Sequence, residues 1–124
     1  MATVTLTNDN FEDTIMDNDM VLVDFWAEWC RPCKMFGPVF EKMSEKYPDI
    51  VFGKVDTEAQ QELAGHFNIR SIPTLMVFRE KTILFSQAGA LPESMLQDLI
   101  TQVSEIDMED VRRRIEEQAA EADA

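Results

Sequence analysis

Apolar residues recur along this chain in two rhythms, short runs of strand character and longer stripes of helical period. Residues 3–6 predict a short strand. Asn8 or Asp9 is placed to cap a helix carrying Phe11, Ile15 and Met16. Residues 20–27 form a nearly continuous apolar run, the pattern of a central strand covered on both faces. A helix is expected from the Cys30/Cys33 pair to about Tyr47. Pro32 suits its first turn, where an N–H has no helical partner, and Pro38 lies inside it and is expected to kink it. Residues 50–56 predict the next strand. Thr57 and Gln60 have the spacing of a capping box ahead of a helix with Leu63, Ala64 and Phe67 on one face. Residues 74–78 and 82–88 predict a hairpin. Its connection, Arg79-Glu80-Lys81-Thr82, lacks the Gly or Asn that tight turns favour, so a wider turn or some strain is expected. Pro92 then opens a helix with Leu96, Leu99, Ile100 and Val103 on one side.

The resulting order, β-α-β-α-β-α-β-β-α, predicts an α/β fold. A central mixed sheet of about five strands is flanked by helices on both faces, with a parallel βαβ unit around the cysteines. Near Ile106 the helical stripe changes phase. Met108, Val111, Ile115 and Ala119 form a second stripe, displaced by roughly 120° on α-helical geometry. Asp107, with Asp110 three residues on, is placed to cap a new helix. The chain therefore divides into a domain over residues 1–106 and an acidic C-terminal helical extension over 107–124. The pairs Glu109/Arg113, Asp110/Arg114 and Arg113/Glu117 support that extension at i,i+4.

Composition narrows the function. The length of 124 residues suits one core, and the net charge of −13 argues against nucleic acid or an anionic membrane as partner. No basic stretch followed by an apolar run opens the chain, and no apolar run is long enough to cross a bilayer, so a cytoplasmic protein is expected. The chain has 2 cysteines, three positions apart. Such a pair is not a structural framework and points to redox or metal chemistry. Two thiolates and a distant His66 fall short of four zinc ligands, so a metal reading would need a second chain.

Disulfide exchange requires a thiolate. Cys30 sits at an expected helix N-terminus, where free N–H groups and the helix dipole favour an anion. Arg31 adds a fixed positive charge beside it, worth on the order of 1 kcal/mol to the thiolate at a surface-like dielectric. Cys33 shares the helical face and can resolve a mixed disulfide. Asp24, inside an apolar strand, is expected to be buried with a raised pKa and to take the proton of Cys33. Lys54, on the next strand, is a candidate to tune Asp24. Pro73 opens a strand, where it removes no ladder hydrogen bond.

Val-Asp-Phe-Trp-Ala-Glu-Trp-Cys-Arg-Pro-Cys-Lys, followed by Pro38, Lys54-Val55-Asp56, Ile69-Arg70-Ser71-Ile72-Pro73-Thr74 and Gly89-Ala90, resembles the thioredoxin family over roughly residues 3–103. The resemblance implies a thioredoxin fold and reduction of protein disulfides. In that pattern Cys30 is the exposed attacking thiol and Cys33 the buried resolving one, with Asp24 the buried acid and Lys54 its partner. Pro73 corresponds to a cis-proline facing the cysteines. Trp29, Pro32, Ile72, Gly89 and Ala90 would frame the substrate groove, and Trp26 would pack beneath the site. The implied partners are disulfide-containing target proteins and an NADPH-dependent thioredoxin reductase, with the flavin on that reductase and no cofactor on this chain.

Two features depart from the family pattern. Arg31 stands where glycine is usual, which opens the alternative of a more oxidising oxidase or isomerase. The extension over 107–124 has no counterpart in a minimal thioredoxin. A monomer is expected, with a dimer through this helix as the alternative. A further alternative is a protein-binding or holdase subunit in which redox chemistry is incidental.

Overall fold

The computed structural model describes residues 2–123, so Met1 and Ala124, at the outer ends of the two expected segments, lie outside the described residues. Ten elements follow in the order β1 (Val4–Thr5), α1 (Phe11–Asp17), β2 (Met20–Trp26), α2 (Arg31–Lys46), β3 (Val51–Asp56), α3 (Gln61–His66), β4 (Thr74–Arg79), β5 (Thr82–Ala88), α4 (Glu93–Glu105) and α5 (Met108–Asp123). The five strands form one sheet in the order β1-β3-β2-β4-β5. β1, β3 and β2 run parallel, while β4 is antiparallel to both β2 and β5. This is the thioredoxin fold, with the mixed sheet that the hydrophobic pattern implied.

β2 lies at the centre because its residues from Met20 to Phe25 are buried whichever way they point. Met20 and Leu22 face α2 and α4, joining Phe36, Phe40 and Met43 of α2 and Leu96, Ile100 and Val103 of α4. Val21, Val23 and Phe25 face the other way, against Phe11 and Ile15 of α1, with Leu63 of α3 and Phe67 just after it at the margin. Alternation along the strand thus sends Asp24 to the same side as Leu22, under α2 and α4. Burying apolar surface at about 25 cal/mol per Å² makes these two layers the main stabilising term. At Gly53 of β3 a Cβ would lie 2.3 Å from Leu6 Cδ1 and 2.7 Å from its Cγ, so a side chain there requires the buried Leu6 to move.

Several local expectations are corrected. The cap of α1 is Asn10, not Asn8 or Asp9, and it makes no side-chain capping bond; its Oδ1 instead accepts from the Thr7 N–H at 2.7 Å. The Thr57/Gln60 capping box does not form. The Thr57 hydroxyl donates to the Trp26 carbonyl at 3.1 Å, which ties the ends of β2 and β3 together, and Gln60 is the cap residue of α3. Pro38 lies inside α2, as expected, and the helix continues past it. For the β4–β5 turn, of the two alternatives expected, a wider turn or some strain, the strained one is found: Arg79 pairs directly with Thr82. Glu80 and Lys81 take positive φ angles of 48° and 70°, so the tight turn is made by residues that carry the strain of the left-handed region.

The helix break near Ile106 is present. Ile106 leaves α4 in an extended conformation, and Asp107 Oδ1 accepts from the N–H groups of Glu109 and Asp110 at 3.0 and 3.3 Å. The corner is held from inside by Arg79, whose Nη1 donates to the carbonyls of Val103 and Ile106 at 2.8 and 2.7 Å. α5 packs by its first turn: Met108 is buried, Arg112 pairs with Glu80, and Ile115 and Ala119 are exposed. Of the expected helical pairs, Asp110–Arg114 and Arg113–Glu117 form, and Arg113 also reaches Asp110.

Candidate active site

The end of β2 passes through the short Ala27–Trp29 link into α2, and this junction builds the site. Cys30 is the N-cap of α2, and its Sγ accepts from the Cys33 N–H at 3.2 Å. Pro32 occupies the first turn, where the absent N–H leaves no helical bond broken. Cys30 and Cys33 are joined in a disulfide with their Cα atoms 5.3 Å apart. The sulfur that caps the helix lies where its free N–H groups converge, so an anion at that atom is favoured once the pair is reduced.

Contrary to the expected contrast between an exposed and a buried cysteine, both are 3 % exposed in the disulfide state. They pack with Ala27, Trp26 and Ile72. The covering piece comes from the loop before β4. The Ile72–Pro73 bond is cis, and the Ile72 carbonyl lies 3.6 Å from Cys30 Sγ. Gly89 closes the same rim: its N–H donates to the Pro73 carbonyl at 2.8 Å, and its φ of +112° is a conformation for which glycine is suited. Gly89 and Ala90 are exposed and Ile72 is half-buried, so this edge is open to an approaching chain.

Trp29 is 70 % exposed yet held in place, because its Nε1 donates to Glu58 Oε1 at 2.6 Å. Sequence reading missed Glu58, since nothing in a separation of 29 positions marks the pair. Arg31 is exposed next to Cys30, without a carboxylate partner among the described residues. Lys34 is paired with Glu28 at 3.3 Å.

Asp24 is wholly buried, and neither carboxylate oxygen has a hydrogen-bond partner. Burial pushes its pKa up to about 7, against a smaller downward pull from the Lys54 charge. Lys54 stands opposite Asp24 in the β2–β3 ladder, but the two form no contact ion pair; Lys54 Nζ lies 4.9 Å from the centre of the Trp26 ring and reaches toward Gly37 of α2. Pro38 follows on the exposed side of the same helix. His66 is exposed on α3 with its ring against Phe67, on the opposite face of the sheet from the disulfide side of α2. Among the described residues no group of three or more His, Cys, Asp or Glu is placed to hold a metal, and no helix is long and apolar enough to cross a membrane.

A redox-ready cysteine pair capping a helix, opposed by a proline loop that leads into an inner strand of a mixed sheet, defines a thiol–disulfide oxidoreductase. The thioredoxin family model matches residues 2–102, and the chain belongs to the thioredoxin family. It is similar to a protein named putative thioredoxin 2 of Streptomyces coelicolor, 60 % identical over 121 residues, covering 98 % of this chain and 90 % of that one. It is 43 % identical over 100 residues to thioredoxin C-3 of Corynebacterium nephridii, covering 80 % of this chain and 69 % of the relative. Among solved structures, a thioredoxin variant from Halobacterium salinarum superposes with a TM-score of 0.77 at 34 % identity, covering 85 % of this chain and 92 % of that one. The matched family region ends before α5, whereas the alignment with the Streptomyces protein takes in nearly the whole chain.

Proposed function

We propose that the chain works in the reducing direction, passing an electron pair from the Cys30/Cys33 dithiol to disulfides of target proteins. The observation that carries this reading is the Cys30 sulfur at the α2 N-terminus, taking the Cys33 N–H and facing the Ile72 carbonyl. The Cys30 thiolate attacks one sulfur of the target disulfide, forming a mixed disulfide and releasing the first target thiolate. Cys33 gives its proton to Asp24 and attacks Cys30 Sγ. The Cys30–Cys33 disulfide forms and the second target sulfur leaves. With a pKa of about 7, Asp24 is close to half-ionised at neutral pH and can accept and return that proton. Lys54 tunes Asp24 through its charge, and Arg31 favours the Cys30 thiolate. Trp29, Pro32, Ile72, Pro73, Gly89 and Ala90 form the binding edge, on which the Ile72 backbone pairs with an extended target segment. Trp26 and Pro38 are structural.

The electrons return from an NADPH-dependent thioredoxin reductase, and this chain needs no cofactor of its own. The 2 cysteines are both committed to the redox pair, which suits a compartment that keeps thiols reduced, and we assign the chain to the cytoplasm as a monomer. Residues 1–106 are the working domain and 107–124 an accessory helix. The test is reduction of insulin disulfides driven by NADPH and a thioredoxin reductase. Turnover that requires this chain supports the reading. A chain that only oxidises dithiols in the same buffer contradicts it.

A further inference from the structure

The charges around the disulfide are distributed unlike those of the rest of the molecule. Four arginines have carboxylate partners: Arg79 with Asp19, Arg112 with Glu80, Arg113 with Asp110 and Glu117, and Arg114 with Asp110. The arginines left without one, among the described residues, are Arg31 and Arg70. Both are exposed, and each is close in the chain to a residue of the disulfide site, Arg31 to Cys30 and Arg70 to Ile72. Arg31 follows Cys30 directly. Arg70 precedes by two residues the carbonyl of Ile72, which lies 3.6 Å from Cys30 Sγ. That spacing keeps the Arg70 Cα within about 7 Å of the Ile72 Cα. Arg70 is steadied by a hydrogen bond from its Nε to Asn68 Oδ1 at 3.2 Å, which leaves its terminal amino groups open. Of the nearby carboxylates, Glu28 pairs with Lys34, while Glu58 keeps its charge and is held by the Trp29 N–H.

We infer that Arg31 and Arg70 are specificity-determining residues that favour target disulfides flanked by acidic side chains. The inference rests on the disulfide-reduction reading and names its substrate class. It runs against the net charge of −13, which by itself repels acidic chains at long range. At contact distance the local pair outweighs that field, because charges beyond about 8–10 Å are largely screened at physiological salt while guanidinium–carboxylate contacts are direct.

The test uses three peptides that share one disulfide and differ only in the residue beside the attacked cysteine: Glu, Gln or Lys. The chain is recycled with dithiothreitol, and kcat/KM is compared within each protein variant, so that any effect of Arg31 on the thiolate itself cancels. Wild type is expected to reduce the Glu peptide roughly two- to five-fold faster than the Gln peptide, and the Lys peptide slowest, at low salt. In the double variant Arg31→Gln, Arg70→Gln, or in high salt, the preference is expected to collapse. Equal rates on all three peptides, a preference for Lys, or a Glu preference that survives in the double variant would overturn the inference and leave disulfide reduction standing. Failure to reduce any of the three would overturn both.

Discussion

Replacing Asp24 by Asn removes a charge from a site that offers it no hydrogen bond. The side chain is fully buried and both oxygens lack partners, so the ionised form is destabilised relative to the unfolded chain. The folded pKa is about 7 and the reference value 3.8. Between these values the native state holds a proton that the unfolded state has lost. Stability therefore falls as pH rises through that window, the reverse of an ion-paired aspartate. Below pH 3.8 the group contributes nothing, and above about pH 7 the full cost is reached. Three units at 1.36 kcal/mol each give about 4 kcal/mol at alkaline pH, of which roughly 2.5 kcal/mol develops between pH 5 and pH 8. Asn keeps the shape and does not titrate. Urea unfolding of the oxidised proteins at pH 5 and pH 8 should show Asp24→Asn gaining on wild type by that 2.5 kcal/mol across the interval. A gap between the two proteins that is the same at both pH values would refute the buried-acid reasoning. Because the same group is proposed to accept the Cys33 proton, the stabilised variant should also resolve mixed disulfides more slowly.

Other outcomes follow from separate contacts. Arg31→Gly removes a charge worth on the order of 1 kcal/mol to the thiolate, so redox equilibration against glutathione should find the variant more reducing by about 20 mV; an unchanged or more oxidising variant refutes the role given to Arg31. Gly53→Ala places a methyl 2.3 Å from Leu6 Cδ1 and should cost about 1–3 kcal/mol, on the scale of one overpacked methylene, in urea unfolding. A neutral effect would mean that Leu6 has room to move. Ending the chain after Ile106 removes the buried Met108 and the Arg112–Glu80 pair, with an expected loss of about 2 kcal/mol in stability. The rate of disulfide exchange should be unchanged, since the retained Arg79 still holds the end of α4 and α5 contributes no residue to the cysteine site.

What the sequence made legible was whatever rests on periodicity or on residues close together in the chain. The continuous apolar run of β2, the helix opening at Cys30–Cys33 and the phase change at Ile106 are all local signals, and each has its counterpart in the structure. Capping was misread at two places because a cap is decided by competition. Thr57 had a capping partner in sequence, but the Trp26 carbonyl across the sheet took its hydroxyl. At the β4–β5 turn the expected lack of a Gly or Asn appears as strain rather than as a wider loop, because ladder pairing holds Glu80 and Lys81 in a tight turn at positive φ. At the site, the family motif located Asp24, Pro73 and Gly89, but not their state. Equal burial of Cys30 and Cys33, the lack of any partner for Asp24 and the clamp of Glu58 on Trp29 depend on distances between segments 29 to 42 positions apart, which no local pattern encodes.

The measurement that bears most directly on exchange through Cys30 is trapping of the mixed disulfide. Reduced Cys33→Ser and Cys30→Ser proteins are mixed with a disulfide-containing protein substrate, and the products are resolved by mass under non-reducing conditions. Cys33→Ser should accumulate a covalent complex joined at Cys30 and reversed by dithiothreitol, whereas Cys30→Ser should form little or none. A complex of equal yield through Cys33 in the Cys30→Ser protein, or no complex in either, would contradict the assignment of Cys30 as the attacking thiol.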